Sequence, residues 1–242
     1  MNRPTVSRLA VNRLAAGLFG FFGIALVGFI LTPSEACAQR GLDLEDDTLT
    51  QSVLIHPPFD VSGRRMDLNT REHTYRPQLR LVDQLARDFT VMKVGKDGIG
   101  RAYEPGTAGR ENEDWYGWRE DVLAPFESRV VRVVRPDSTN EPGNMNRDGK
   151  TGLIVFEDEE EEGITVAYAH VREIEVKQGD TVRRGDVVGK VGNNGTSRAP
   201  HVHIGAWTGD PDLLGSKTGA EPLQIQVDLY AEERFGEESD SG

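Results

Sequence analysis

The chain has one cysteine, Cys37, among 242 residues. One thiol makes no intramolecular disulfide, and no cysteine cluster exists for an iron–sulfur or thiolate-zinc site, so any metal must be held by histidine and carboxylate. Histidine is also scarce, with five in the chain. Positive charge is in deficit, 28 Lys plus Arg against 40 Asp plus Glu, for a formal charge of −12. That sign argues against nucleic acid as a partner and against clinging to an anionic membrane or polymer by charge alone. Aromatics are 7 % and hydrophobic residues 37 %, enough for a core but not for several. Long apolar runs are absent apart from one.

That run, residues 14–31, follows Arg3, Arg8 and Arg13 and precedes Ala36-Cys37-Ala38. A basic start, an apolar middle and a small-x-small site are the layout of a secretory signal, so residues 1–38 are expected to be a signal peptide cleaved after Ala38. At 18 residues the run also approaches the span of a bilayer, leaving an uncleaved inner-membrane anchor as the alternative. Ser34 stands where a lipobox wants an apolar residue, which disfavours a lipoprotein. The remaining chain is expected to be exported, to the periplasm or the outside.

The rest divides by composition. Residues 39–75 are polar around Pro57-Pro58 and are expected to be a weakly ordered extension; 76–230 form the domain; 231–242 are an acidic tail without apolar anchors. Residues 137–150 read as a Pro, Gly, Asn and Asp loop. Inside the domain, short β-branched runs at 129–135, 152–156, 164–170, 187–191 and 202–207 are separated by turn residues, and no long helical period follows Trp115. The expected fold is all-β, an antiparallel β-sandwich with long loops. Residues 81–91 carry both a helical and a strand pattern, and the periodicity does not decide between them. The acidic run 157–162 reads as a solvated hairpin loop, since it lacks the spacing and central glycine of an EF-hand.

Chemistry concentrates in Pro200-His201-Val202-His203. On a strand, His201, His203, Gly205 and Trp207 share one face, and Val202, Ile204 and Ala206 share the other, which is the apolar and therefore core-facing set. The two imidazoles stand together, able to share a metal or a substrate. Upstream, Tyr168-Ala169-His170-Val171 is followed by two V-x-x-G-D turns between Val176 and Val187 and then by the loop Gly192-Asn193-Asn194-Gly195. Asp121 to Pro125 precedes a strand pattern at 130–134. In order and spacing these segments resemble the lysostaphin-type (LytM-like) zinc metallopeptidases of bacterial cell walls, over about 120 residues from Asp88 to Trp207. The V-x-x-G-D turns also occur in biotin and lipoyl carriers, but Lys190 lies inside a strand pattern rather than at a hairpin tip.

The resemblance implies a duplicated, barrel-sandwich-like peptidase core, a bound zinc, and hydrolysis of the peptide cross-links of peptidoglycan. It implies His203 and Asp88 as zinc ligands and His170 and His201 as the catalytic pair around the attacking water and the oxyanion. The family has a further ligand histidine four residues before the aspartate, and here that position is Gln84. An amide oxygen is a weaker donor than imidazole, and a catalytic zinc wants three protein ligands. Three arrangements follow: Gln84 coordinates, His73 or His56 completes the shell, or the site is empty and the protein is an impaired relative that binds peptidoglycan or activates a cell-wall amidase. Asn193 and Trp207, flanking the H-x-H strand, are expected to line the substrate groove. Trp115 to Trp118 either line a groove or cap the core, and burial of tryptophan favours the cap. Nucleophilic catalysis is disfavoured: the mature chain would have no cysteine, and Ser197 sits in a turn sequence.

Overall fold

A computed structural model describes residues 51–60, 66–73, 83, 85–161, 163–209 and 220–229. The expected signal peptide and acidic tail lie outside these residues, as does Gln84.

Among the described residues the fold is all-β, with a single 3₁₀ turn at Asn112–Asp114. Thirteen strands follow in chain order: β1 Ser52–Ile55, β2 Met66–Glu72, β3 Arg87–Val94, β4 Gly100–Arg101, β5 Asp121–Leu123, β6 Ser128–Val134, β7 Leu153–Asp158, β8 Ile164–Ala169, β9 Val171–Arg172, β10 Thr181–Val182, β11 Val187–Val191, β12 Val202–Thr208 and β13 Gln224–Val227. The main sheet is antiparallel in the order β10-β6-β7-β8-β12-β3-β2, with β4 on β3. A second antiparallel sheet runs β5-β11-β9, and β1 pairs β13 in parallel.

One core joins the sheets. Phe89 and Val91 of β3, Val122 of β5, Ile154 and Phe156 of β7, Val166 and Tyr168 of β8, Val188 and Val191 of β11, and Val202, Ile204 and Ala206 of β12 form one buried cluster. The alternation expected along β12 therefore holds. The turns between β9 and β11 repeat one device: Gly179 and Gly185 take positive φ, while Asp180 and Asp186 accept the backbone N–H of Lys177 and Arg183 at 3.0 and 2.8 Å. The residue run 137–150 contains no strand, and of the ambiguous 81–91 segment Asp83 and Leu85 are turn residues and β3 begins at Arg87.

The structure differs from the expectation for residues 39–75, where β1 and β2 are strands. In β1 the alternation of Val53 and Ile55 with Leu54 buries the first two in the core. That four-residue pattern is too short to separate from a polar linker without its partner β13. β2 reads MDLNTRE and pairs with β3 from Met66↔Lys93 to Glu72↔Arg87.

Candidate metal and catalytic site

The central position of β12 assembles the site. His203 pairs with Asp88 of β3 on one side and with Ala169 of β8 on the other. His170 follows Ala169 directly, and His201 makes a bridge to Gly192. Residues separated by more than a hundred positions are thus brought to one spot by strand register alone.

His203 Nδ1 bonds Asp88 Oδ1 at 2.8 Å, and His201 Nε2 lies 3.5 Å from the same oxygen. The rings of His170 and His201 are 4.7 Å apart between centroids, and those of His170 and His203 are 6.0 Å apart. His73 completes the cluster. Its backbone N–H donates to Ala86 O at 2.7 Å, continuing the β2–β3 ladder one residue past the strand, and its Nε2 reaches Asp88 Oδ2 at 3.4 Å. One donor atom each from His73, Asp88 and His203 lie within 4.8 Å of one another. Two imidazoles and a carboxylate, each able to present a lone pair to one point, fit a zinc ion with three protein ligands and an open position. His56 is elsewhere: it is buried beside Gly185 and donates from Nδ1 to Pro57 O at 2.7 Å.

The tautomers of the catalytic pair are set by backbone carbonyls. His170 donates from Nδ1 to Asn194 O at 2.9 Å, and His201 from Nδ1 to Ala199 O at 2.8 Å. This leaves Nε2 of His170 as its free nitrogen and turns Nε2 of His201 toward Asp88. His170 adopts φ 66°, a left-handed conformation that a β-carbon disfavours. Asn194 holds it there: its Nδ2 donates to the carbonyls of His170 at 3.0 Å and Val171 at 3.3 Å, and its Oδ1 accepts the Gly152 N–H at 2.7 Å.

Electrostatics separate the histidines. Burial pushes His170 down to about 3, reinforced by the neighbouring imidazoles of His201 and His203, so it is neutral at pH 7. Burial also opposes charge on His203, but bonds to Asp83 and Asp88 outweigh it and raise its pKa to about 9. Burial would raise the Asp88 carboxyl; its bonds to His201 and His203 prevail and hold it well below the usual carboxylate range.

Asn193 and Trp207, expected in the groove, present no surface to a substrate. Asn193 is fully buried, donating to Asn112 Oδ1 at 3.0 Å and Asn140 O at 3.3 Å and accepting from Ser197 Oγ at 2.8 Å. Trp207 shares the His203 face, as expected, but folds back over Gly205 and packs with Val155 and Ala167 as a small second core. The lack of a side chain at Gly205 creates that slot: a β-carbon there would meet the indole at 2.2 Å. Trp115 stacks on Tyr103 and donates to Gly109 O, while Trp118 donates to Glu113 and lies under the Arg172 guanidinium, 4.5 Å from the ring centroid.

The sequence reading missed two contributors. Asp83 bonds both His73 and His203, and Asn140 ties the 137–150 loop to Gly195 O and Ser197 O at 2.8 Å each. Nothing in a single Asp or Asn within a polar stretch signals such a contact.

Residues 118–213 match the model of Peptidase family M23, a span holding His170, His201 and His203 but neither His73 nor Asp88. Among solved structures, the chain is similar to the antimicrobial peptidase lysostaphin from Staphylococcus simulans, at 15 % identity and TM-score 0.38 over 62 % of this chain and 45 % of that one. It is similar to the catalytic domain of the prophage-encoded M23 protein EnpA from Enterococcus faecalis, at 19 % and 0.39 over 68 % and 97 %. It is also similar to the deep-sea M23 metalloprotease pseudoalterin, at 17 % and 0.37 over 63 % and 69 %. The match spans less than half of the lysostaphin chain. Through residues 118–213, with the histidine segments 168–171 and 200–203 inside them, this chain is similar to Peptidase family M23.

Proposed function

We propose that the protein is an exported zinc metalloendopeptidase that cleaves the peptide cross-links of bacterial peptidoglycan. The observation that carries this reading is the convergence of His73, Asp88 and His203 within 4.8 Å, with the rings of His170 and His201 beside them. The alternative, an impaired relative that binds peptidoglycan or activates an amidase, is motivated by Gln84. His73 weakens that motive by supplying a second imidazole beside Asp88.

His73, Asp88 and His203 would hold the zinc, which supplies a Lewis acid for the scissile carbonyl and acidifies water toward about pH 7. The other groups act on protons. His170, neutral and bonded through Nδ1–H to Asn194 O, offers Nε2 as an acceptor for the proton of the attacking water. His201, fixed through Nδ1–H to Ala199 O, places its Nε2 beside Asp88, where as an imidazolium it would donate from Nε2–H to charge developing on the carbonyl oxygen. The signal-like pattern of residues 1–38 supports export to where peptidoglycan lies.

The test is direct. Purified protein should carry close to one zinc per chain and clear a murein suspension, and chelation or His203→Ala should remove both properties. Clearing that persists under chelation overturns the mechanism. Sacculus binding without metal or turnover would move the protein to the regulatory class.

A further inference from the structure

His73, His203, Asp88 and Asp83 close a ring. On one side, Asp88 bonds Nδ1 of His203 at 2.8 Å and faces Nε2 of His73 at 3.4 Å. On the other, Asp83 Oδ1 lies 2.7 Å from Nε2 of His203 and Asp83 Oδ2 lies 2.6 Å from Nδ1 of His73. Each imidazole therefore turns one nitrogen to Asp88 and the opposite nitrogen to Asp83. Among the described residues, the compact donor group is His73, Asp88 and His203, without Asp83.

We propose that Asp83 is a shared positioning carboxylate that orients both ligand imidazoles from behind, an inference that rests on the zinc site argued above. A neutral imidazole has one N–H and one lone pair, and a carboxylate on one nitrogen draws the N–H to that side and leaves the lone pair on the other. Asp83 has two oxygens and spends one on each ring. A single residue thereby fixes tautomer and rotation for two ligands whose centroids are 4.9 Å apart. With the N–H groups on His73 Nδ1 and His203 Nε2, both lone pairs face Asp88. The charge also closes, since the carboxylates of Asp83 and Asp88 together balance a divalent ion held by neutral imidazoles. Asp83 gains its position from the turn before β3, where Leu85 takes φ 61° and is buried. His73 enters the site from β2, outside the family's four-residue spacing, so its ring needs an orienting partner that this spacing does not provide.

Zinc affinity, measured by competition with a chromogenic chelator on the purified full chain, decides the matter without reference to catalysis. Asp83→Ala should weaken zinc about 10- to 100-fold. Asp83→Asn, whose amide has one oxygen and can accept from only one ring, should fall between that variant and the unsubstituted protein. Asp88→Ala, which removes a ligand, should lose more than either. Metal-free Asp83→Asn should melt with the unsubstituted protein, separating positioning from folding if the alanine variant is unstable. Unchanged affinity in Asp83→Ala would make Asp83 a bystander. Tighter binding would make it a group that competes with the metal, and a loss equal to that of Asp88→Ala would make it a ligand. Each of those results overturns the proposal, as does a protein that takes up no zinc. A graded loss in a protein that fails to clear murein would sink the endopeptidase reading and leave this one standing.

Discussion

Replacing Asn193 by alanine separates a buried strut from a substrate contact. Its amide donates to Asn112 Oδ1 and Asn140 O and accepts from Ser197 Oγ, all at 2.8–3.3 Å and away from solvent. Two of the partners keep other bonds: Asn140 O still receives Asn112 Nδ2 at 2.8 Å, and Ser197 Oγ still reaches Ala199 O at 2.8 Å. Among the described residues Asn112 Oδ1 has no other bonded partner. One orphaned buried acceptor costs about 1–3 kcal/mol and each of the other two lost neutral bonds about 1 kcal/mol, so the variant should lose about 3–5 kcal/mol. In urea, with an m-value of about 2.5 kcal/mol per molar, the unfolding midpoint should fall by about 1.2–2 M. Well below its melting temperature the variant should bind sacculi as the unsubstituted protein does. A midpoint within about 0.2 M of the original, together with a large loss of sacculus binding, would refute the placement and return Asn193 to the groove.

Trp207→Ala should cost about 3–5 kcal/mol by thermal or urea unfolding, since the indole fills the space above Gly205 against Val155 and Ala167; a near-neutral change would contradict that packing. Gly152→Ala should be destabilising by more than the usual 1–3 kcal/mol of overpacking, because the new β-carbon would sit 1.8 Å from the Val171 carbonyl, which is backbone. Gly152 also anchors Asn194, so the same variant should disturb the His170 resonances; an ordinary melting curve would count against the close approach. In metal-free protein, His170 is neutral when folded, with its pKa near 3 against about 6.5 unfolded, so the unfolded state binds the extra proton between those values. Stability should therefore be full above about pH 6.5 and fall as pH drops through 5, by at most about 1.4 kcal/mol per pH unit from this group, with buried His56 adding in the same direction. His170→Ala should flatten that slope, and an unchanged slope would show that His170 is already charged in the fold.

Several features were legible from residues alone. The five β-branched runs are β6, β7, β8, β11 and β12, because alternation and turn residues act locally and register in a single chain segment. The shared face of His201 and His203 follows from the two-residue strand period. Asp88 was reached through the family resemblance, and strand register sets it opposite His203. β2 was not legible as a strand because Met66 and Leu68 are only two apolar positions in a polar stretch, and the pairing with β3 is not visible in the segment itself. The burial of Asn193 and Trp207 was illegible too, since a polar residue in a Gly-rich loop and an aromatic beside a histidine look the same whether they face a groove or a second core.

The order of residues determined the five β-branched strands, the apolar face of β12 and the identity of the imidazoles available. Only tertiary structure decided which histidine joins Asp88, for His56 and His73 are equivalent as letters in a polar stretch. A strand ladder carries His73 to the end of β2, where it meets His203, and carries His56 to the far side of the Gly185 turn. Contacts between distant segments depend on sheet order and register, and these are set by the summed burial of the whole core rather than by any local run.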